Sequence, residues 1–180
     1  ETTALYTQIV QELPLSTPSD ALLRKFPMLL TPFIGREAEL AKMMELLAAS
    51  DCRLLTLYGP GGVGKTRLAI EAAARIGPMF ENGAGFVALQ PVESVEEVVI
   101  EIADVLGFSL QSTLPLRKQL LNRLAEAGEL LLVLDNCEHL SLAGLAQDML
   151  QAAPHLTILA TSRTRLNLQA EWLLPVRGLS

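Results

Sequence analysis

Leu54-Leu55-Thr56-Leu57-Tyr58-Gly59-Pro60-Gly61-Gly62-Val63-Gly64-Lys65-Thr66-Arg67 passes from an apolar run through a glycine-rich turn into a Leu/Ala-rich stretch ending near Ile76. The order reads as strand, turn, helix. In that setting the spacing G-x-x-x-x-G-K-[ST], here Gly59 to Thr66, predicts a phosphate-binding loop. Glycines let the backbone take positive φ, so that its N–H groups curl around anionic oxygens. The turn ends on a helix N-terminus, whose unpaired N–H groups and partial positive charge also attract phosphate. Lys65 is placed to reach β- and γ-phosphates, and the Thr66 hydroxyl to ligate Mg²⁺.

Working outward, 180 residues allow one domain with a substantial core. Apolar residues make up 50% and charged residues only 19%, against about 25% charged in ordinary domains. Mean hydropathy is +0.35. No apolar run approaches the ~20 residues of a membrane span. The polar start lacks a basic n-region, so no secretory leader is expected. The surplus apolar content has two readings: faces that meet further domains, or a Leu/Ala-rich α/β core. The net charge is −6 and aromatics are 4%. A nucleic-acid surface needs clustered basic residues and stacking rings, so direct nucleic-acid binding by this segment is not expected. Of the two cysteines, Cys52 is expected at the start of the first core strand and Cys137 beyond the end of a parallel one, roughly 20 Å apart at ~3.3 Å per strand residue and beyond disulfide reach. A reduced, cytoplasmic setting follows as an expectation.

Residues 1–13 carry Leu5, Ile9, Val10 and Leu13 at helical spacing and read as the last helix of a preceding domain. Residues 14–32 contain Pro14, Pro18, Pro27 and Pro32 and read as a linker. Residues 33–180 then form the nucleotide domain. Phe33-Ile34-Gly35-Arg36-Glu37 opens a helix reaching about Ser50, with Leu40, Met43, Met44 and Leu47 on its apolar face. Beyond the phosphate loop, Gly85–Leu89 reads as a strand, Val95–Gly107 and Leu116–Ala127 as helices, Ser141–Ala153 as a helix, and Leu156–Ala160 as a strand. Trp172–Val176 is a last short strand that Pro175 assigns to the sheet edge.

Leu130-Leu131-Leu132-Val133-Leu134-Asp135-Asn136 is the second informative stretch. A continuous apolar run predicts a strand buried on both faces of a parallel sheet. An acid at its C-terminal end lies where open α/β sheets bind ligands, and where a Walker B aspartate holds Mg²⁺. The next position is Asn136, which cannot act as a base. Glu138 and His139 stand nearby in sequence, and a solvated loop position is the plainer reading for both. Thr161-Ser162-Arg163 ends the following strand and is placed to reach a γ-phosphate.

Phe33-Ile34-Gly35-Arg36-Glu37, the Gly59–Thr66 loop, Leu130–His139 and Ala160-Thr161-Ser162-Arg163 together resemble the NB-ARC-like branch of the STAND P-loop ATPases. More narrowly they look like the predicted-ATPase module of bacterial transcriptional regulators of the antibiotic-regulatory type. Residues 1–13 also look like the final helix of a helical-repeat activator domain. The resemblance implies a three-layer α/β/α fold around a mostly parallel five-stranded sheet, with the Arg163-bearing strand between the two Walker strands. It implies adenine contacts at Ile34, Gly35 and Arg36, with Gly59 through Arg67 on the nucleotide. It implies ATP/ADP exchange that switches a larger protein between closed and oligomerising forms. Asn136 in place of a second acid predicts slow hydrolysis. The lid modules that close over nucleotide in such proteins fall outside these 180 residues.

The function expected is a Mg²⁺-dependent ATP/ADP switch module of a cytoplasmic regulator. Lys65, Asp135 and Arg163 are its chemical residues, and Thr66 and Asp135 its metal ligands. Partners expected are nucleotide, other domains of the same chain and a nucleotide-dependent homo-oligomer, with no membrane. The alternatives are a turnover ATPase or phosphotransferase, and a nucleotide-free oligomerisation scaffold. The arginines are scattered, which counts against a kinase lid.

Overall fold

The computed structural model describes residues 23–178. The helix expected over residues 1–13 lies outside them. Six strands form one sheet: β1 (Leu23–Arg24), β2 (Leu54–Tyr58), β3 (Ala84–Ala88), β4 (Leu130–Asp135), β5 (Leu156–Ser162) and β6 (Glu171–Pro175). Their spatial order is β1-β3-β4-β5-β2-β6, and every pairing is parallel. Five helices connect them: α1 (Glu37–Ala48), α2 (Lys65–Ile76), α3 (Val95–Leu106), α4 (Leu116–Glu126) and α5 (Ala143–Ala152).

Period-two alternation on the strands explains the layering. Leu130, Leu132 and Leu134 of β4 pack with α3, α4 and α5, joined by Ile158 and Ala160 of β5. Leu131 and Val133 point the other way, with Leu55, Leu57 and Leu159, onto α1 and α2. All six β4 residues are buried, as the unbroken apolar run requires of a central parallel strand. Helices on both faces complete the α/β/α sandwich expected from the sequence.

Two details differ from expectation. The sheet has six strands, not five, and is wholly parallel among the described residues. The extra strand, β1, lies inside the stretch expected as linker and pairs Leu23 with Ala84 and Arg24 with Gly85. A two-residue strand is too short to show periodicity, so nothing in its sequence announces it. Leu23 and Phe26 add to the α1/α2 side of the core, with Phe26 against Phe86 at a ring-centroid distance of 5.5 Å. Leu156–Ser162 also runs two residues past the apolar stretch, because Thr161 and Ser162 continue the ladder beside β2.

The strand order places the site. β5 lies between β4 and β2, as the resemblance implies. Tyr58 is level with Ser162 and Leu134 with Ala160. The C-terminal ends of three neighbouring strands, and the turns that follow β2 and β4, therefore open on one edge.

Candidate nucleotide site

The loop after β2 is shaped by what its glycines permit. Gly59 donates its N–H to Ser162 O at 3.3 Å. A Cβ on Gly59 would fall 2.2 Å from the carbonyl oxygen of Val176, so no side chain is accommodated there. Gly64 caps α2 at φ 90°, a left-handed conformation that glycine adopts without steric cost. The first turn of α2 then presents its unpaired N–H groups toward the loop.

Lys65 is buried. Its Nζ donates to Gly59 O at 2.8 Å and Pro60 O at 2.7 Å, which fixes the ammonium over the loop. Burial pushes its pKa down, while Glu138 and Asp135 oppose that shift. Thr66 Oγ1 donates to Asp135 Oδ1 at 2.7 Å. Thr161 Oγ1 donates to the same oxygen at 2.6 Å and accepts from Asn136 N at 3.0 Å. One carboxylate thus collects hydroxyls from the loop helix and from the neighbouring strand. Thr161, expected to reach phosphate, instead supports Asp135 from below; the one-to-one β4/β5 register explains that position.

The cleft above the loop encloses about 410 Å³. Gly61, Gly62, Gly64, Lys65, Thr66, Arg67, Asn136, Glu138 and Arg163 line it, with Leu29 and Ile70. Arg163 lies close over the loop: a Cβ on Gly61 would be 3.1 Å from its Nη2. Its Nε is 3.3 Å from Glu138 Oε1. Asn136 turns the chain at φ 65°, a left-handed geometry asparagine tolerates better than most residues. His139 faces elsewhere, with Nε2 2.9 Å from Val92 O.

The remaining expected contacts divide. Arg36 is buried and its Nη2 donates to Val63 O and Arg177 O, each at 2.7 Å. Its Nη1 meets Glu39 Oε1 at 3.2 Å. The guanidinium thus ties the phosphate loop to the chain leaving β6. Gly35 N donates to Glu37 Oε1 at 3.1 Å, and Ile34 is 74% exposed. Arg67 donates to Thr31 and to Pro32 O, anchoring the 31–32 segment at the cleft rim. Glu138 is the residue whose place sequence proximity alone did not decide.

The donor set suits Mg²⁺. Thr66 Oγ1 and the Asp135 carboxylate are hard oxygens already in contact, and Mg²⁺ takes few protein ligands, keeps waters and completes its shell with phosphate oxygens. Among the described residues no group of three or more His, Cys, Asp or Glu side chains could hold a metal by itself. No helix among them is long and apolar enough to cross a membrane.

Parallel sheet, strand order, glycine-rich loop and the Thr66–Asp135 contact define a P-loop ATPase. A family model described as an AAA domain matches residues 44–169, and the chain belongs to that family. It is 39% identical over 155 residues to Rv0894 of Mycobacterium tuberculosis, covering 84% of this chain and 39% of the relative. It is 43% identical over 146 residues to a protein of the same organism named "Putative HTH-type transcriptional regulator Rv0890c", covering 77% of this chain and 16% of that one. The chain therefore spans well under half the length of these relatives. Among solved structures, it is similar to the STAND protein with a tetratricopeptide-repeat sensor from Pyrococcus horikoshii. That match has a TM-score of 0.56 at 17% identity, covering 86% of this chain and 24% of that one. These similarities agree with the STAND-like resemblance carried by the motifs.

Proposed function

We propose that this chain is the ATP/ADP-binding switch module of a bacterial transcription regulator, Mg²⁺-dependent and slow to hydrolyse. The observation that carries the reading is the Thr66–Asp135 contact of 2.7 Å. It joins the end of the phosphate loop to the end of β4 where a metal-bridged triphosphate needs both. The loop amides and Lys65 hold the phosphate tail, and Mg²⁺ neutralises charge on the β- and γ-oxygens when bound. Arg163, over Gly61, reads the γ-phosphate and so distinguishes ATP from ADP. Asn136 supplies no proton acceptor at the position beside Asp135, which favours slow hydrolysis. The relative named as a putative HTH-type transcriptional regulator supports the placement in a larger regulator chain. Arg36, gripping both Val63 and Arg177, is the route by which loop geometry reaches the domain that follows.

Calorimetric titration with ATP and with ADP, each with Mg²⁺, tests this. Saturable binding of both, with turnover slower than about one cycle per second, supports the switch. Absence of heat with either nucleotide supports a scaffold, and rapid turnover supports a working ATPase.

A further inference from the structure

Glu138 is the acidic side chain lining the cleft; the other charged residues there are Lys65, Arg67 and Arg163. It is held there by its neighbours. Cys137–His139 form a single 3₁₀ turn directly after β4. Cys137 is buried with Sγ 3.3 Å from Leu134 O, and His139 is fixed at Val92 O. With both flanks anchored, the turn aims Glu138 at the loop. Its two oxygens are unequal. Oε1 pairs with Arg163, whereas Oε2 is buried and has no hydrogen-bond donor among the described residues. A buried carboxylate oxygen without a donor is costly to keep, and no described donor competes for its lone pairs. Asp135 is engaged differently: Thr66 and Thr161 both donate to its Oδ1.

We propose that Glu138 is the general base of this site, and that its ion pair with Arg163 holds it in reserve until a γ-phosphate engages the arginine. The inference rests on the nucleotide-binding reading above. The γ-phosphate carries more charge than one carboxylate and offers three oxygens, so Arg163 transfers to it. Glu138 Oε1, released from Arg163, then faces the attacking water. A proton passes from the water to the carboxylate as the water oxygen bonds to the γ-phosphorus. The bond from that phosphorus to the bridging oxygen breaks, its electron pair staying on ADP, and inorganic phosphate is the second product. Glu138 returns its proton to solvent. The base thus comes from three positions after the Walker B aspartate, not from the position beside it.

The test is Glu138→Gln in the full chain, with ATP and ADP affinities and single-turnover hydrolysis measured side by side. Removing a positioned base lowers hydrolysis roughly 100-fold or more. Freeing Arg163 from an exposed ion pair raises ATP affinity roughly two- to five-fold while ADP affinity stays put; a merely structural glutamate would not move that ratio. Glu138→Asp keeps the charge, retracts it by one methylene, and retains partial hydrolysis; it serves if the glutamine variant does not fold. Hydrolysis within about three-fold of wild type in both variants, including a wild type that binds ATP without cleaving it, overturns the proposal. A wild type that binds neither nucleotide defeats the switch reading itself.

Discussion

Thr66 Oγ1 and Asp135 Oδ1 lie 2.7 Å apart although 69 positions separate them. One begins the helix after β2 and the other ends β4, and β5 between them supplies Thr161 to the same carboxylate oxygen. The sheet order alone brings these groups together. A hydroxyl and a carboxylate thus sit side by side at the end of the phosphate loop, the oxygen pair that the proposed Mg²⁺ would share.

Lys65→Ala removes the one ammonium over the loop. A hydrogen bond to a charged group contributes about 1.5–3 kcal/mol, so nucleotide affinity should fall by about 10- to 150-fold. The two carbonyls it now serves, Gly59 O and Pro60 O, belong to a partly exposed loop and can turn to water. The thermal midpoint without nucleotide should change little. Fluorescence titration with a labelled ADP and a melting curve check both halves.

Gly59→Ala places a methyl 2.2 Å from Val176 O, against backbone that cannot rotate away. Overpacking of this kind costs about 1–3 kcal/mol. Denaturant unfolding should show a lower midpoint with the slope unchanged. Gly62→Ala, where a Cβ meets nothing within 4 Å, should cost less, since only its φ of 76° opposes the change.

Cys52 and Cys137 are both free and buried. Burial pushes the Cys52 thiol up to about 11 and raises Cys137 as well, with Asp135 and Glu138 adding to the shift. The unfolded chain ionises its thiols near 8.5. Between that value and the folded one, the native state holds more protons, so stability falls as pH rises. Urea midpoints should decline from about pH 8.5 upward, and Cys52→Ala should flatten part of that decline. At pH 8 both thiols should resist a disulfide reagent in buffer and react in denaturant.

The phosphate loop and β4 were legible because each couples a local pattern to a backbone requirement. The spacing from Gly59 to Thr66 demands positive φ and a helix start, and Leu130–Leu134 demands burial on two faces. Pro175 likewise announced the edge position of β6. What escaped were features decided by tertiary register. Leu23–Arg24 is too short for periodicity, and only pairing with β3 makes it a strand. Thr161 reads in sequence like any polar strand end, and its support of Asp135 follows from β4/β5 alignment. Glu138 and His139 are equivalent by distance along the chain. They part because the 3₁₀ turn sends one into the cleft and the other to Val92 O. The grip of the Arg36 guanidinium on Val63 O and Arg177 O is a relation spanning the whole domain that no local window contains.

The most direct measurement is a Mg²⁺ titration of nucleotide binding in wild type and in Asp135→Asn. Asparagine keeps an oxygen to accept from Thr66 and Thr161, so the fold should hold, but it removes the anionic metal ligand. The account predicts nucleotide affinity that rises with Mg²⁺ in wild type and is flat in the variant. Equal Mg²⁺ dependence in both proteins, or none in wild type, would contradict it.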